Sequence, residues 1–371
     1  MSGIQDDLFG GPPTPPPAPS PPPAATTPPA AEEAPPGKQK KGIGVAAQPQ
    51  DEALHALAQR LPPTLHLGTS TWTYPGWKGL VWEGEHSPAQ LSRNGLSIYV
   101  QHPLLRTVSI DRSFYRPLTV SQYERYASQV PDDFRFVVKA PSLVTDALVR
   151  SEDGRGREPN PAFLNADLAR TEFVEPALQG LGRKIGALVF QLSPLPMDQL
   201  DRLPEVLQRL RAMLLAQPKL APIAPDGILA VEVRDPEWIS SHWMALDFAA
   251  VLREAGATYC IDLHPKMPPL AEQLHMLRAL WPGPLVCRWM LNTRHGPYGY
   301  EEAEKLYEPF DKVHHPDPEN HEALARLIAG VTGAGQNAYV CISNHAEGSA
   351  PRTIRTLAER VAAQPPSRKK A

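Results

Sequence analysis

Eight short apolar segments, separated by stretches with helical spacing, constrain this chain more than any other feature. Near-continuous apolar strands that alternate with helices are typical of a parallel sheet that is buried on both faces. Eight such units favour a closed barrel over an open, doubly wound sheet, so we predict an α/β fold, a (β/α)8 barrel of the TIM type. The predicted strands are Leu65–Thr69, Thr107–Ile110, Phe134–Val138, Ala187–Gln191, Leu229–Val233, Thr258–Ile261, Leu285–Arg288 and Ala338–Ile342.

The segments between these strands carry apolar residues at a spacing near 3.6, as in Leu200–Leu214, Trp243–Ala255 and Glu322–Ala329. No glycine-rich phosphate loop or dinucleotide fingerprint follows the first strand, which weakens the open-sheet alternative. In barrels of this type the chemistry lies where the strands end, at the C-terminal mouth.

Proline is concentrated ahead of the predicted barrel, since 13 of the 44 prolines lie between Pro12 and Pro36. Such a segment has almost nothing to bury, so it does not offset the entropy of ordering. We therefore predict a disordered, proline-rich tail over residues 1–50, a single folded domain over residues 51–363 and a short basic tail over residues 364–371.

Charge and hydropathy argue against several classes of protein. The net charge is −3, which disfavours a protein that grips duplex DNA through overall positive charge but allows a local basic pocket. No apolar run reaches the roughly 18 residues of a membrane span, and residues 1–11 lack the features of a signal peptide. Cys260, Cys287 and Cys341 lie in apolar runs and are interpreted as buried thiols of a cytoplasmic protein.

A polar residue follows or ends every predicted strand. Because each one comes directly after an apolar run, its side chain should be held on a rigid element at a common mouth. Structural ion pairs and helix caps are the alternative interpretation for single residues. The residues are Ser70, Thr71, Asp111, Lys139, Gln191, Glu232, Arg234, Asp262, Arg288 and Asn344.

Three cations should converge on this mouth, namely Lys139, Arg234 and Arg288, with Arg112 and Arg116 on a nearby loop. Unpaired buried charges are costly, so the pocket is predicted to take an anionic guest such as a phosphate or carboxylate. Glu232 and Asp262 are then the candidate catalytic base and acid, or ligands of a divalent ion. Alternatively, these two carboxylates only neutralise the cations.

Aromatic side chains cluster near the same mouth and could stack on a base or a sugar, or form a packed lid. Among them we select Trp72 and Tyr115 as candidate substrate-binding residues. The other candidates for substrate binding are Ser70, Asp111, Lys139, Gln191, Arg234, Arg288 and Asn344. Trp77 is interpreted as a core residue rather than as a substrate contact. The cluster comprises Trp72, Tyr74, Trp77 and Trp82 after the first strand and Phe114 and Tyr115 after the second.

In these same segments the chain resembles the YecE-like family, also called domain of unknown function seventy-two. The resemblance implies an α/β barrel, whereas the activity of the family is not established. Six residues match the family pattern at the mouth: Lys139, Gln191, Glu232, Arg234, Arg288 and Asn344. The matching stretches are GTSTWTYPGW (68–77), TVSIDRSFYRPL (107–118), FRFVVKAP (134–141), LVFQLSP (188–194), AVEVRDPEW (230–238) and YVCISNHAEGSAP (339–351).

The chain departs from the family pattern at three strands. Ser109 and Asp111 stand where the family usually has Glu and Asn, and Trp289 and Met290 follow Arg288 in place of an apolar residue and His-Gly. The eighth strand ends Ile342-Ser343-Asn344 where the family usually has Phe-Asn-Asn. These differences imply either a divergent substrate or a member that has lost activity.

Metal and hydrolase motifs are weak. His264, His295, His314, His315 and His345 show no paired helical spacing, and no G-x-S-x-G sequence is present. Asp262-x-His264 is the one arrangement suited to a divalent metal, and His314–His315 with Asp317 is interpreted as a solvated loop. The Gly/Pro-rich insertion at residues 142–165 is either a mobile lid or a tolerated surface insertion.

The N-terminus carries a separate signal, Gln5-Asp6-Asp7-Leu8-Phe9. It looks like the short peptide by which bacterial replication and repair proteins dock on the DNA sliding clamp, with Gln5, Leu8 and Phe9 as the matching groups. A match to a motif of only five residues also arises by chance.

Two functions follow from the sequence. The first is a barrel enzyme that acts on a phosphate-bearing substrate, such as a nucleotide, nucleic acid or sugar phosphate, by acid–base or metal-assisted hydrolysis. In it, Lys139, Arg234 and Arg288 hold the anion while Gln191 and Asn344 orient the substrate. The second is a non-catalytic adaptor that is recruited to the sliding clamp by its tail.

Overall fold

The computed structural model describes residues 44–150 and 156–365. Eight parallel strands close into a barrel, and neighbouring strands follow one another in chain order. The predicted (β/α)8 fold is therefore confirmed. The strands are β1 (Ala46–Ala47), β2 (Leu65–Thr69), β3 (Trp82–Glu83), β4 (Thr107–Ile110), β5 (Arg135–Lys139), β6 (Leu148–Arg150), β7 (Gly156–Pro159), β8 (Ile185–Gln191), β9 (Ile228–Glu232), β10 (Thr258–Leu263), β11 (Leu285–Trp289) and β12 (Ala338–Ile342).

Helices surround the barrel and bury one face each against its strands. The largest are amphipathic, as expected for a two-layer packing of helix on sheet. They are α1 (Glu52–Arg60), α2 (Pro88–Asn94), α3 (Leu96–Tyr99), α4 (Val120–Ala127), α5 (Ser142–Thr145), α6 (Ala166–Ala169), α7 (Glu175–Leu181), α8 (Met197–Leu200), α9 (Leu203–Leu215), α10 (Glu237–Ser240), α11 (His242–Ala255), α12 (Leu270–Ala279), α13 (Tyr300–Tyr307), α14 (Pro318–Gly333) and α15 (Ala350–Ala363).

All eight predicted barrel strands are present. The first, second and eighth have the predicted bounds, and the other five differ by one or two residues at one or both ends. Two of these differences fall at Lys139, which ends β5, and at Glu232, which ends β9. Both polar residues lie where the apolar pattern stops, so the sequence pattern marks the strand ends less sharply there.

The barrel interior is filled by small and medium apolar side chains. Successive residues of a strand point to opposite faces, so every second residue lines the interior. This interior cluster, which we call the apolar layer, consists of Val137, Ala187, Val189, Ala230, Cys260, Val286, Tyr339 and Cys341. The layer closes the centre of the barrel, as expected for a packed core.

A glycine permits the close approach of two barrel strands. Gly68 of β2 lies opposite Thr107 of β4. A Cβ atom at position 68 would lie 1.8 Å from the carbonyl oxygen of Thr107. Only a residue without a side chain fits this position.

The ordered chain begins ahead of residue 51, the boundary predicted from the sequence. Ala46–Ala47 pairs antiparallel with Trp82–Glu83, and the Gln48 backbone N–H donates to the carbonyl oxygen of Val81. The N-terminal segment is thus tied to the connection between β2 and β4. The predicted tail at residues 1–43, the peptide Gln5–Phe9 and the basic residues 367–371 lie outside the described residues.

The two arms of the insertion at residues 142–165 are held to each other by hydrogen bonds on either side of its tip. The insertion contains α5 and the antiparallel strands β6 and β7. The Asn160 side-chain amide donates to the carbonyl oxygens of Leu143 and Asp146, both at 2.8 Å. The tip, residues 151–155, lies outside the described residues, and a lid role stays a prediction.

Within residues 44–150 and 156–365, no helix combines the length and the apolar character that a bilayer span requires.

Candidate active site at the barrel mouth

The predicted polar residues of four neighbouring strands lie on one level, directly above the apolar layer. Gln191, Glu232, Asp262 and Arg288 each follow a residue of that layer by two positions. Strand register places Gln191 beside Glu232 and Asp262 beside Arg288. Because the period of a strand is two, all four side chains point into the barrel. The mouth predicted from the sequence thus has a charged floor.

Glu232 lies at the centre of this floor and is fully buried. Its Oε1 accepts from Arg234 Nε at 3.0 Å and Nη2 at 2.7 Å, and its Oε2 accepts from Arg288 Nη1 at 2.8 Å. One carboxylate therefore joins two guanidinium groups. Burial alone would raise the pKa of Glu232, but the charges of Arg288 and Arg234 outweigh it and hold the pKa below its usual range.

Asp111 supplies a second carboxylate to Arg288. Its Oδ2 accepts from Arg288 Nη2 at 2.7 Å, and its Oδ1 accepts from the Ser109 hydroxyl at 2.5 Å. Gln191 Oε1 accepts from Arg288 Nη1 at 3.0 Å and from Arg234 Nη2 at 3.3 Å. Ser109 and Asp111, which depart from the family pattern, thus form part of the arginine network.

The carboxyl group of Asp262 lies beside the network, and neither of its oxygens forms a hydrogen bond to the described residues. Its Oδ2 is 3.1 Å from Arg234 Nε, but the single hydrogen on that nitrogen is directed to Glu232. The carboxyl group is therefore near a positive charge and yet poorly solvated. Burial raises the pKa of Asp262 to about 7, against the attraction of Arg234 and with a further contribution from Glu232.

Lys139 is partly exposed at the rim of this floor. Its Nζ lies 3.6 Å from the centroid of the Phe114 ring, a cation–π distance. Within residues 44–150 and 156–365, its Nζ forms no ion pair with a carboxylate. Burial, reinforced by the charge of Arg288, lowers the pKa of Lys139 to about 7.

Asn344 is buried below the loops of the mouth. Its Oδ1 accepts from Trp77 Nε1 at 3.1 Å and from the backbone N–H of Ala350 at 2.8 Å. These bonds join the connection after β2 to the start of α15. The contacts of Asn344 thus tie two connections together.

The other candidate substrate-binding residues are spread around the rim. Ser70 is buried directly after β2, and its backbone N–H donates to the carbonyl oxygen of Ile342. Trp72 is buried and packs edge-on against Tyr126. Tyr115 is 70% exposed and contacts Phe114, the ring that lies under Lys139. The structure brings the charged residues together more closely than the aromatic ones.

Sequence reasoning missed Tyr300, a residue of α13 that reaches the mouth. It interacts with Arg234 and Asp262, and burial raises its pKa. Its ring lies 5.7 Å from that of His264 and 5.4 Å from that of His345. The stretch Tyr298-Gly299-Tyr300 after the seventh strand was the available signal, but helical spacing alone does not distinguish a site tyrosine from a core one.

The loop of His314, His315 and Asp317, interpreted as solvated, is half-exposed and is also held by side chains from other elements. The Tyr307 hydroxyl lies 2.7 Å from His315 Nδ1 and 2.7 Å from His295 Nε2. The backbone N–H of Asp317 donates to Glu347 Oε1 at 2.5 Å. A buried tyrosine and a buried carboxylate from other elements therefore hold this loop in place.

The family assignment follows from a sequence profile described as "Protein of unknown function DUF72", which matches residues 66–371. The chain belongs to this family. The resemblance to the YecE-like family is thereby confirmed. A comparison with curated proteins gives no match.

Two solved structures of DUF72 family proteins are similar to this chain. A crystal structure from Enterococcus faecalis V583 shares 16% sequence identity with a TM-score of 0.51, covering 83% of this chain and 99% of that chain. A second, from Thermotoga maritima MSB8, shares 19% identity with a TM-score of 0.47, covering 79% of this chain and 97% of that chain. The first of these supports the barrel fold of the DUF72 member described here.

One of the two residues that depart from the family pattern at the seventh strand, Trp289, lies away from the mouth. Trp289 alternates with Arg288, so its side chain points out of the barrel. It is buried and its ring centroid lies 5.1 Å from that of His321. Trp289 therefore belongs to the contact between barrel and helices, as expected for a core aromatic residue.

The donor set of this DUF72 mouth does not fit a divalent metal. Both oxygens of Glu232 face guanidinium groups, and His264 Nδ1 accepts from the backbone N–H of Lys266 at 3.1 Å. Two arginines would repel a cation placed beside Asp262. Among the described residues, no group of three or more His, Cys, Asp or Glu side chains could hold an ion.

Proposed function

We propose that the mouth of the barrel is the active site of an enzyme that transfers protons to and from a small substrate bearing a phosphate or carboxylate group. The observation that carries this proposal is the pair Asp262 and Lys139. Both groups lie at the barrel mouth beside the same two arginines, and burial shifts the pKa of each to about 7. A group that titrates near the working pH serves best as a general acid or base.

The charge of the cluster supports an anionic substrate. With Asp262 protonated and Lys139 charged, three cations face the two carboxylates of Glu232 and Asp111. The cluster then has one excess positive charge, which a single negative charge on the substrate would balance. Since both arginines already pair with carboxylates, Lys139 is the cation that we assign to the substrate.

The remaining residues position this pair. Arg234 and Arg288 are held by Glu232, so their charges stay fixed while Asp262 and Lys139 titrate. Such a preorganised set of charges stabilises charge that develops in a transition state. Of the two routes predicted from the sequence, acid–base chemistry fits this donor set better than metal assistance.

The test is competitive labelling of lysines by acetic anhydride in the full chain, as a function of pH. Lys139 is expected to reach half-maximal reactivity near pH 7, because its amine is deprotonated there. Saturating inorganic phosphate is expected to slow its acetylation about tenfold or more by holding the ammonium form. The peptide of the exposed Lys78 is the internal reference. The proposal would be contradicted if the acetylation of Lys139 followed the same pH profile as that of Lys78 and did not change when phosphate was added.

A second candidate function rests on the peptide Gln5–Phe9. We propose that Leu8 and Phe9 enter an apolar pocket of the bacterial DNA sliding clamp while the Gln5 amide binds polar groups beside it. Residues 10–43 separate this peptide from the folded domain and span at most about 120 Å when extended. A tether of that reach permits capture of the clamp by a barrel that stays free to move.

The docking test compares clamp affinity of the full chain with that of a variant carrying Leu8→Ala and Phe9→Ala. The double substitution is expected to weaken binding by about tenfold or more, since it removes both apolar anchors. A matched control is Thr26→Ala with Thr27→Ala, two changes in the same tail outside the peptide. Equal affinities of the double variant and the control chain would exclude docking through this peptide.

A further inference from the structure

The Lys139 side chain has an unusual set of neighbours for a lysine. It ends β5 at the rim of the charged floor, and its Nζ lies 3.6 Å from the centroid of the Phe114 ring. Carboxylates of three residues lie in the same mouth. None of them pairs with Lys139 in the described parts of the chain.

The arginines explain why Lys139 stays without such a partner. Asp111 pairs with Arg288 at 2.7 Å, and Glu232 pairs with Arg234 at 2.7 Å and with Arg288 at 2.8 Å. Guanidinium groups bind carboxylates through several donors, so they compete well against one ammonium. The network therefore holds the carboxylates away from Lys139 and leaves it beside positive charge and an aromatic face.

A lysine in such surroundings can also act as a nucleophile. Burial next to other cations favours the neutral amine, which is the nucleophilic form. The pKa of Lys139, lowered to about 7, agrees with this argument from position. Lys139 also keeps partial exposure at the mouth, so a substrate can reach its nitrogen.

We propose that Lys139 is a nucleophile that forms an imine with the carbonyl carbon of a small aldehyde or ketone carrying one phosphate or carboxylate group. The inference rests on the proposed acid–base site and names its substrate class. The ammonium form of Lys139, which supplies the excess positive charge of the cluster, attracts the anionic group before its neutral form attacks. The carbonyl carbon is the electrophile with which the neutral amine of Lys139 reacts.

The step balances without a further reactant. The amine nitrogen attacks the carbonyl carbon, and one proton moves from nitrogen to oxygen to give a carbinolamine. The protonated carboxyl of Asp262 then gives its proton to the hydroxyl group, which leaves as water while the C=N bond forms. The products are a protonated imine on Lys139, one water molecule and the Asp262 carboxylate. Water reverses the step, so no oxidant or reductant takes part.

The experiment traps the imine by reduction. Full-length protein is incubated at pH 7 with glyoxylate, pyruvate or glycolaldehyde phosphate, reduced with sodium borohydride, and mapped by mass spectrometry of its peptides. We expect at least one probe to give one adduct per chain, on Lys139, formed about tenfold or more faster than on Lys78. Lys139→Arg should abolish the single adduct, whereas the surface variant Lys78→Met should retain it.

Asp262→Asn tests the second half of the step. It should slow adduct formation about tenfold or more, because loss of water then lacks its acid. Adducts spread evenly over Lys139 and Lys78, or absent from Lys139 with all three probes, would overturn the imine. Anhydride labelling keeps the two proposals apart. If Lys139 reacts with anhydride near pH 7 but forms no trapped imine, only the imine proposal fails. If Lys139 shows neither reaction, both proposals fail.

Discussion

A Glu232→Ala variant is expected to lose about 3–5 kcal/mol of unfolding free energy, since it leaves two guanidinium groups buried without their shared counter-ion. Glu232 is fully buried and binds Arg234 at 2.7 Å and Arg288 at 2.8 Å. Removing one partner of a buried pair exposes the full desolvation cost of the other. The loss is measured by urea denaturation of the full chain at pH 7.

The matched control is Glu254→Ala, which also removes a carboxylate that pairs with an arginine. The Arg211 and Glu254 side chains are 40% and 46% exposed, so water replaces the lost partner. This control is expected to leave the urea midpoint nearly unchanged. A Glu232→Ala midpoint as close to wild type as that of the control would show that the floor of the mouth does not depend on Glu232.

An Asp262→Asn variant is expected to be more stable than the wild type above pH 7 and similar to it near pH 4. The pKa of Asp262 rises from 3.8 to about 7 on folding because its carboxyl group is buried. Between these values the native state binds more protons than the unfolded state, so wild-type stability falls as pH rises. The amide does not titrate, and the variant avoids a loss of the order of 4 kcal/mol.

Urea midpoints of both proteins from pH 4 to pH 8.5 measure this difference. Asp201→Asn, a change at an exposed carboxylate, serves as the control and should follow the wild-type profile. The stability advantage of Asp262→Asn should grow between pH 4 and pH 7 and then level off. An advantage that does not change with pH would mean that Asp262 keeps its charge throughout this range.

The barrel could be predicted from the sequence because periodicity is local. Each strand carries its own apolar run, and the alternation of side chains fixes which residues face the interior. Gln191, Glu232, Asp262 and Arg288 therefore lie where the pattern places them. Residue type and position along a strand sufficed for this part of the site.

The pairing of charges could not be predicted in the same way. Three cations were expected to be available to an anionic ligand. Instead, Glu232 pairs with both Arg234 and Arg288, and Asp111 pairs with Arg288 as well. Which carboxylate meets which guanidinium group depends on the stagger of strands that are far apart in sequence. The hydrogen bond between Trp77 and Asn344 could not be predicted for the same reason, because the two residues are far apart in sequence and only the closed barrel brings them together.

The apolar layer beneath the charged floor has a kinetic consequence. Val137, Val189, Ala230, Cys260 and Val286 fill the centre of the barrel below Glu232 and Asp262. A molecule that arrives at Lys139 must depart through the same opening, since the opposite direction is blocked by packed side chains. For the active site proposed above, product and fresh substrate would then exclude one another, and product inhibition would be competitive.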